Sequence, residues 1–63
     1  MEIYIEKADE IVEHSPCIAG ELLKDLGINP DTVLVAKNDE VVLLDEELSE
    51  TDKIKILSVV SGG

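Results

Sequence analysis

Four features of this 63-residue chain carry groups able to do chemistry: the closing Gly62-Gly63, the single Cys17, the single His14, and an acidic run from Asp45 to Asp52. The glycine pair offers a carboxylate with no side chain beside it. A free carboxylate is a poor acyl electrophile, because its charge is delocalised and its leaving group would be oxide. Joined to AMP it becomes a mixed anhydride with a good leaving group, open to attack by sulfur or by an amine. Glycine suits a chain end that threads into an enzyme to meet ATP, since it lacks Cβ and lets other backbone approach closely. Gly62 and Gly63 would then be substrate and not catalyst. Two adjacent terminal glycines arise by chance in about one chain in 200, so the weight rests on their position, directly after an expected last strand.

The other three features carry less. Cys17 follows Ser15-Pro16 at an expected helix start, where the backbone dipole lowers a thiol pKa. It is read instead as a small apolar filler of the first turn. His14 is read as a half-exposed polar residue at the end of a short strand, and the two are taken separately, not as a nucleophile and its base. There is no phosphate-binding glycine loop and no serine nucleophile motif, so the chain offers no convergent acid, base and nucleophile. The acidic run lacks the spacing and central glycine of a calcium loop and reads as a solvated face with electrostatic value toward a basic partner. One Cys and one His exclude an internal disulfide and a zinc-type ligand set. No metal or cofactor is expected of the chain itself.

Composition narrows the partners. Asp plus Glu number 15 against five lysines and no arginine, a net charge of −10. Phosphate neutralisation needs a basic patch, so direct nucleic-acid binding is excluded, as is an anionic membrane surface. The 44% of hydrophobic residues, gathered in Ile/Val/Leu-rich runs, argues for a packed domain over disorder. A chain this short buries only about 60% of its unfolded surface, which leaves no room for a large enclosed active site. Met1-Glu2-Ile3-Tyr4-Ile5-Glu6 alternates apolar and charged residues, unlike a signal peptide, and no apolar run reaches spanning length. A monomer in the cytoplasm is the expectation.

The elements that must position these groups follow from periodicity. Ile3 and Ile5 alternate with polar neighbours as in a half-buried strand, and Ile11 to His14 returns as its hairpin partner after a polar turn at Lys7 to Glu10. Ser15 is a preferred N-cap and Pro16 is tolerated at the first helical position, so the expected helix runs from there through Leu26. Ile18, Leu22 and Leu26 share one face, with Ala19 and Leu23 beside them. Gly27 stops it in the left-handed conformation, and Ile28 folds back on Leu23. Asn29-Pro30-Asp31 is a turn. Thr32 to Ala36 and Glu40 to Leu44 are strands joined by a turn at Lys37-Asn38-Asp39-Glu40. Asp45 to Asp52 is a loop or one helical turn anchored by Leu48, and a last strand begins at Lys53 and runs to Val60. One helix on one face of a mixed sheet of about five strands, an α+β architecture, is the economical way to bury these faces. The division expected is a domain at residues 1–60 and a tail at 61–63.

Taken in order, these features resemble the β-grasp, ubiquitin-like sulfur carriers of the thiamine-pathway carrier and molybdopterin-synthase small-subunit type. The matching pieces are the first strand at Met1 to Glu6, Leu22-Leu23-Lys24-Asp25-Leu26-Gly27-Ile28, the hairpin from Val33 to Val42, and the closing stretch from Asp52 to Gly63. The Val-Val-Ser-Gly-Gly ending resembles the small archaeal modifier proteins. Two turns depart from the pattern: Asp39 stands where the family often has Gly, which points to another turn type or a longer loop, and Glu50-Thr51-Asp52 replaces Asp-Gly-Asp.

The resemblance implies a cycle. A ubiquitin-activating-type enzyme, holding ATP and magnesium, adenylates the Gly63 carboxylate. A persulfide sulfur gives the thiocarboxylate, which serves an acceptor enzyme in thiamine or molybdopterin synthesis or in tRNA thiolation. In the modifier branch Gly63 forms an isopeptide bond with a target-protein lysine. A third reading, a non-covalent acidic binding module, leaves the tail idle. If Ile54 and Ile56 face the helix, Lys53 and Lys55 point outward, and the apolar run after them departs from strict alternation. That places exposed apolar side chains at Leu57 and Val59 beside the tail, with Ser61 leading into the glycines, as the partner-docking residues. A bulge carrying Leu57 and Val59 into the core is the other arrangement.

Overall fold

Alternating side chains at the start of the chain give the strand the sequence leads one to expect. In the computed structural model, which describes residues 1–59, β1 spans Glu2–Ile5 and pairs antiparallel with β2, Glu10–Glu13, through Ile3 opposite Val12 and Tyr4 opposite Ile11. The expectations for Val60, Ser61, Gly62 and Gly63 lie outside the described residues. β2 begins one position before the expected Ile11, and His14 falls just past its end.

The helix start differs from the expectation. α1 spans Ala19–Leu26 with Ile18 at the N-cap in extended conformation and no side-chain cap. Ser15 and Pro16 lie ahead of it, Pro16 in a bend. The reason is tertiary. A helix leaves its first N–H groups without internal partners, and here carbonyls of the acidic loop take them: Ala19 N–H donates to Glu46 O at 2.9 Å and Gly20 N–H to Leu44 O at 2.8 Å. Leu48 N–H donates to Cys17 O at 2.8 Å, and Ile18 bridges Glu47. The segment before the helix is thus held extended against that loop, which does the work expected of the Ser15 hydroxyl. Asp45 to Asp52 is accordingly a loop without a helical turn, and Leu48, 4% exposed, anchors it as expected.

The other end of α1 is as read. Gly27 sits at φ 70°, Gly27 N–H donates to Lys24 O, and Ile28 N–H donates to Leu23 O, the paired bonds of a Schellman ending. One turn of 3-10 helix, Pro30–Thr32, follows, with the Asn29 side chain accepting from Asp31 N–H at 3.0 Å. β3, Val33–Lys37, and β4, Glu40–Val42, then form a hairpin whose last pair is Lys37 opposite Glu40. Asp39 therefore imposes no longer loop. Asn38 and Asp39 both take positive φ, 53° and 69°, as a two-residue type I′ turn requires. β4 ends at Val42, before the expected Leu44, because the chain must turn to bring Leu44 and Glu46 carbonyls onto the helix.

β5, Ile54–Ser58, closes the sheet from its middle. The strand order is β2-β1-β5-β3-β4, with β5 parallel to β1 and antiparallel to β3. Its inward residues Ile54 and Ile56 meet Ile3, Val35, Leu22, Leu23, Leu48 and Met1 in one core, while Lys53 and Lys55 are exposed as expected. Met1 is 3% exposed and belongs to that core, a role periodicity did not reveal. Five strands and one helix in this order are the β-grasp arrangement expected from the sequence. Among the described residues no helix is long and apolar enough to cross a membrane.

Candidate functional site

The chain leaves the sheet at the end of β5, so the site is built there from the residues up. β1 stops at Ile5, opposite Ile56, and β5 runs on past it with one flank still paired to β3. Ser58 N–H reaches the Glu6 carboxylate at 3.3 Å, and Val59 N–H donates to Thr32 O at 3.0 Å. The last described residues are therefore held by backbone pairing rather than by buried side chains.

Five consecutive pairs join β3 and β5, from Val33 opposite Ser58 to Lys37 opposite Ile54. That unbroken register leaves no bulge, and alternation continues through Leu57 despite the apolar run. Leu57 thus points to the outer face of the sheet, directly opposite Leu34, and Val59 shares that face by alternation. Leu34 is 42% exposed, Val59 is 45% exposed, and Leu57 is half-buried beside them. Leu34 was not singled out in the sequence. Its place directly opposite Leu57 in the β3–β5 register is what finds it. On the inner side of the same strand end lies a cavity of about 280 Å³ between Ile5, Ile28, Val33 and Ile56, rimmed by Lys7 and Ser58. The end of β5 therefore has an apolar outer corner and an apolar-floored inner cavity.

The remaining chemical candidates lie on the far side of the core. Cys17 Sγ is 3.6 Å from His14 Nδ1, and His14 Nε2 is 3.1 Å from Asp25 Oδ2. The sequence reading kept Cys17 and His14 apart, although they are only three positions distant in the chain. The structure brings them together with Asp25, yet the geometry is not that of an activated nucleophile. Nδ1 also lies 2.8 Å from the Ser15 carbonyl. A carbonyl only accepts, so Nδ1 carries a proton there and has no lone pair for the thiol. Partial burial and the Asp25 and Glu21 carboxylates push the Cys17 thiol pKa up, opposite to the lowering a helix start can produce. Cys17 packs against the core as a partly buried filler. Among the described residues no group of three or more His, Cys, Asp or Glu is placed to hold a metal ion.

A mixed five-stranded sheet with β5 at its centre and one helix packed on it is the β-grasp architecture of ubiquitin-like proteins. Residues 2–63 match the model of the ThiS family. The chain belongs to that family of ubiquitin-like sulfur carriers. It is similar to the sulfur carrier protein TtuB of Thermus thermophilus, 42% identical over 43 residues, which is 68% of this chain and 66% of that protein. It is also similar to an uncharacterized protein of Archaeoglobus fulgidus, 44% identical over 43 residues, 68% of this chain and 63% of that one. The match spans just under two thirds of the length of either curated relative.

Proposed function

We propose that this protein carries sulfur as a thiocarboxylate on Gly63, at the end of a tail formed by residues 61–63, and hands it to an acceptor enzyme in cofactor biosynthesis or tRNA thiolation. The observation that carries the reading is that the family match runs through residue 63, so it includes the Gly-Gly end and not the sheet alone. The chemistry needs a Gly63 whose carboxylate is free. An adenylating enzyme supplies ATP and magnesium. A carboxylate oxygen attacks the α-phosphorus, pyrophosphate leaves, and the acyl adenylate forms. The terminal sulfur of a persulfide then attacks the acyl carbon and expels AMP. A thiol cleaves the resulting sulfur–sulfur bond, leaving sulfur on Gly63 and the donor as a disulfide. The carrier's own residues supply no acid, base or nucleophile to these steps.

The carrier's part is presentation. Leu57, Val59 and Leu34 form the apolar corner that meets the adenylating enzyme, and Ser61 continues from it as a small residue in the threading path. The net charge of −10 favours an enzyme surface with a basic approach. The test is deletion of Gly63, assayed with a purified adenylating enzyme, ATP and a persulfide donor. The expected result is complete loss of thiocarboxylate with an unchanged melting temperature. A truncated chain that still acquires sulfur contradicts the proposal.

A further inference from the structure

The acidic loop that caps α1 also builds a surface away from the end of β5. Backbone contact between Gly20 N–H and Leu44 O at 2.8 Å draws loop and helix close together. The missing side chain of Gly20 leaves the seam open, since a Cβ there would lie 3.2 Å from Leu44 O. The result is a shallow groove of about 410 Å³ lined by Ile18, Gly20, Glu21, Lys24, Leu44 and Asp45. Its apolar members are well exposed: Ile18 at 40% and Leu44 at 45%, with Leu43 next in the chain at 76%.

These three are among the large aliphatic side chains left in water, and their grouping along one seam marks a contact site. The charges say what kind. Glu21 and Asp45 line the groove, and Glu47 bridges Ile18. None of these three carboxylates has an ion-pair partner among the described residues, whereas Glu46, Asp39, Asp52, Glu13 and Glu50 each do. Lys24, one helical turn on from Glu21, is the lone cation in the groove and orients it, with the negative end toward Asp45. The groove is also remote from the tail base. Gly27 and Ile28 at the far end of α1 line the cavity next to Ser58, about 10 Å along the helix axis from Gly20.

We infer that the groove between α1 and the loop at Leu43 to Asp45 is a second docking site, for a protein segment that carries an aliphatic anchor flanked by basic residues. The anchor seats over Gly20 between Ile18 and Leu44, and the flanking cations face Glu21, Asp45 and Glu47. The site leaves the outer corner at Leu34, Leu57 and Val59 free, so one partner can hold the carrier by its helix side while another works on the tail. This inference does not rest on the chemistry proposed for Gly63, and it holds for a chain lacking both terminal glycines.

The probe is a short synthetic peptide with a central Leu-Leu pair flanked by Lys-Lys on each side, titrated into the full chain at low salt. Amide shifts are followed by nitrogen–proton correlation NMR. Saturable shifts should cluster at Ile18 to Lys24 and Leu43 to Glu47 and weaken as salt rises. Leu44→Ser should loosen binding by about tenfold or more. It leaves the Leu44 carbonyl on the helix, so the fold survives. The double variant E21K/D45K should remove the salt dependence. Absence of saturable shifts, equal binding of a Glu-flanked peptide, or shifts centred on Leu34, Leu57 and Val59 would each overturn the assignment. So would concentration-dependent shifts of the same amides without peptide, which would put a second copy of the chain in the groove.

Discussion

The Cys17 thiol lies within 3.6 Å of an imidazole whose other nitrogen faces a carboxylate, but its surroundings set its chemistry against nucleophilic use. Desolvation and two nearby carboxylates push its pKa up, and Nδ1, the nitrogen that would have to accept its proton, already carries one toward the Ser15 carbonyl. Asp52 is the opposite case. Its carboxylate accepts from Ser49 N–H at 2.7 Å and from the Asn38 side chain at 3.0 Å, with Lys37 Nζ at 3.7 Å. The Ser49 N–H first, then Asn38 and Lys37, hold its carboxyl pKa below the usual carboxylate value. A depressed folded-state pKa means the contribution to stability is complete above the unfolded-state value of about 3.9 and is lost as pH falls through the lower folded value. Denaturant melts of the protein and its Asp52→Asn variant from neutral pH into strong acid should therefore show a stability gap that closes below about pH 4. A gap independent of pH would show that the Asp52 charge contributes nothing.

Elements formed where the sequence carried a complete local signal, and shifted where a distant segment supplied the missing part. The alternation of Ile3, Ile54 and Ile56 and the Gly27-Ile28 ending needed nothing from elsewhere, and both were legible. Ser15-Pro16 carried a good local signal for a helix start, yet the backbone carbonyls of Leu44 and Glu46, far along the chain, capped the helix at Ile18 instead. No local rule contains that information. At the end of β5, Val59 was legible as an exposed apolar residue, Leu57 points outward as expected but is half-buried, and Leu34 emerged only from the β3–β5 register. The hairpin turn shows a local cost the fold accepts. Asp39 at φ 69° is in the left-handed region, which costs an ordinary L-residue about 1–2 kcal/mol and Asp somewhat less. Asp39→Gly relieves that strain, offsets it partly by a more flexible unfolded chain, and loses only an exposed Lys55 ion pair of small worth. The variant should be more stable by a few tenths to about 1 kcal/mol, read as a higher denaturation midpoint. A lower midpoint would mean that the Asp39 side chain holds the turn more firmly than its backbone strains it.

At the scale of the whole molecule, two surfaces stand apart. The sheet's outer corner at Leu34, Leu57 and Val59 lies at the end of β5, while the helix and its capping loop present an acidic, apolar-floored groove at the other side. The net charge of −10 suits both surfaces to basic partners. The core stays dry: among the described residues no buried polar or charged side chain is present. In a member of a sulfur-carrier family the chemistry proposed above falls on one carboxylate, that of Gly63. The measurement that tests it most directly is the intact mass of the protein isolated from its native cells, handled so that labile sulfur survives. A population heavier by one oxygen-to-sulfur exchange, mapped by fragmentation to Gly63, is the predicted result. Only the plain carboxylate, persisting when the adenylating enzyme, ATP and a persulfide donor are supplied, would contradict it.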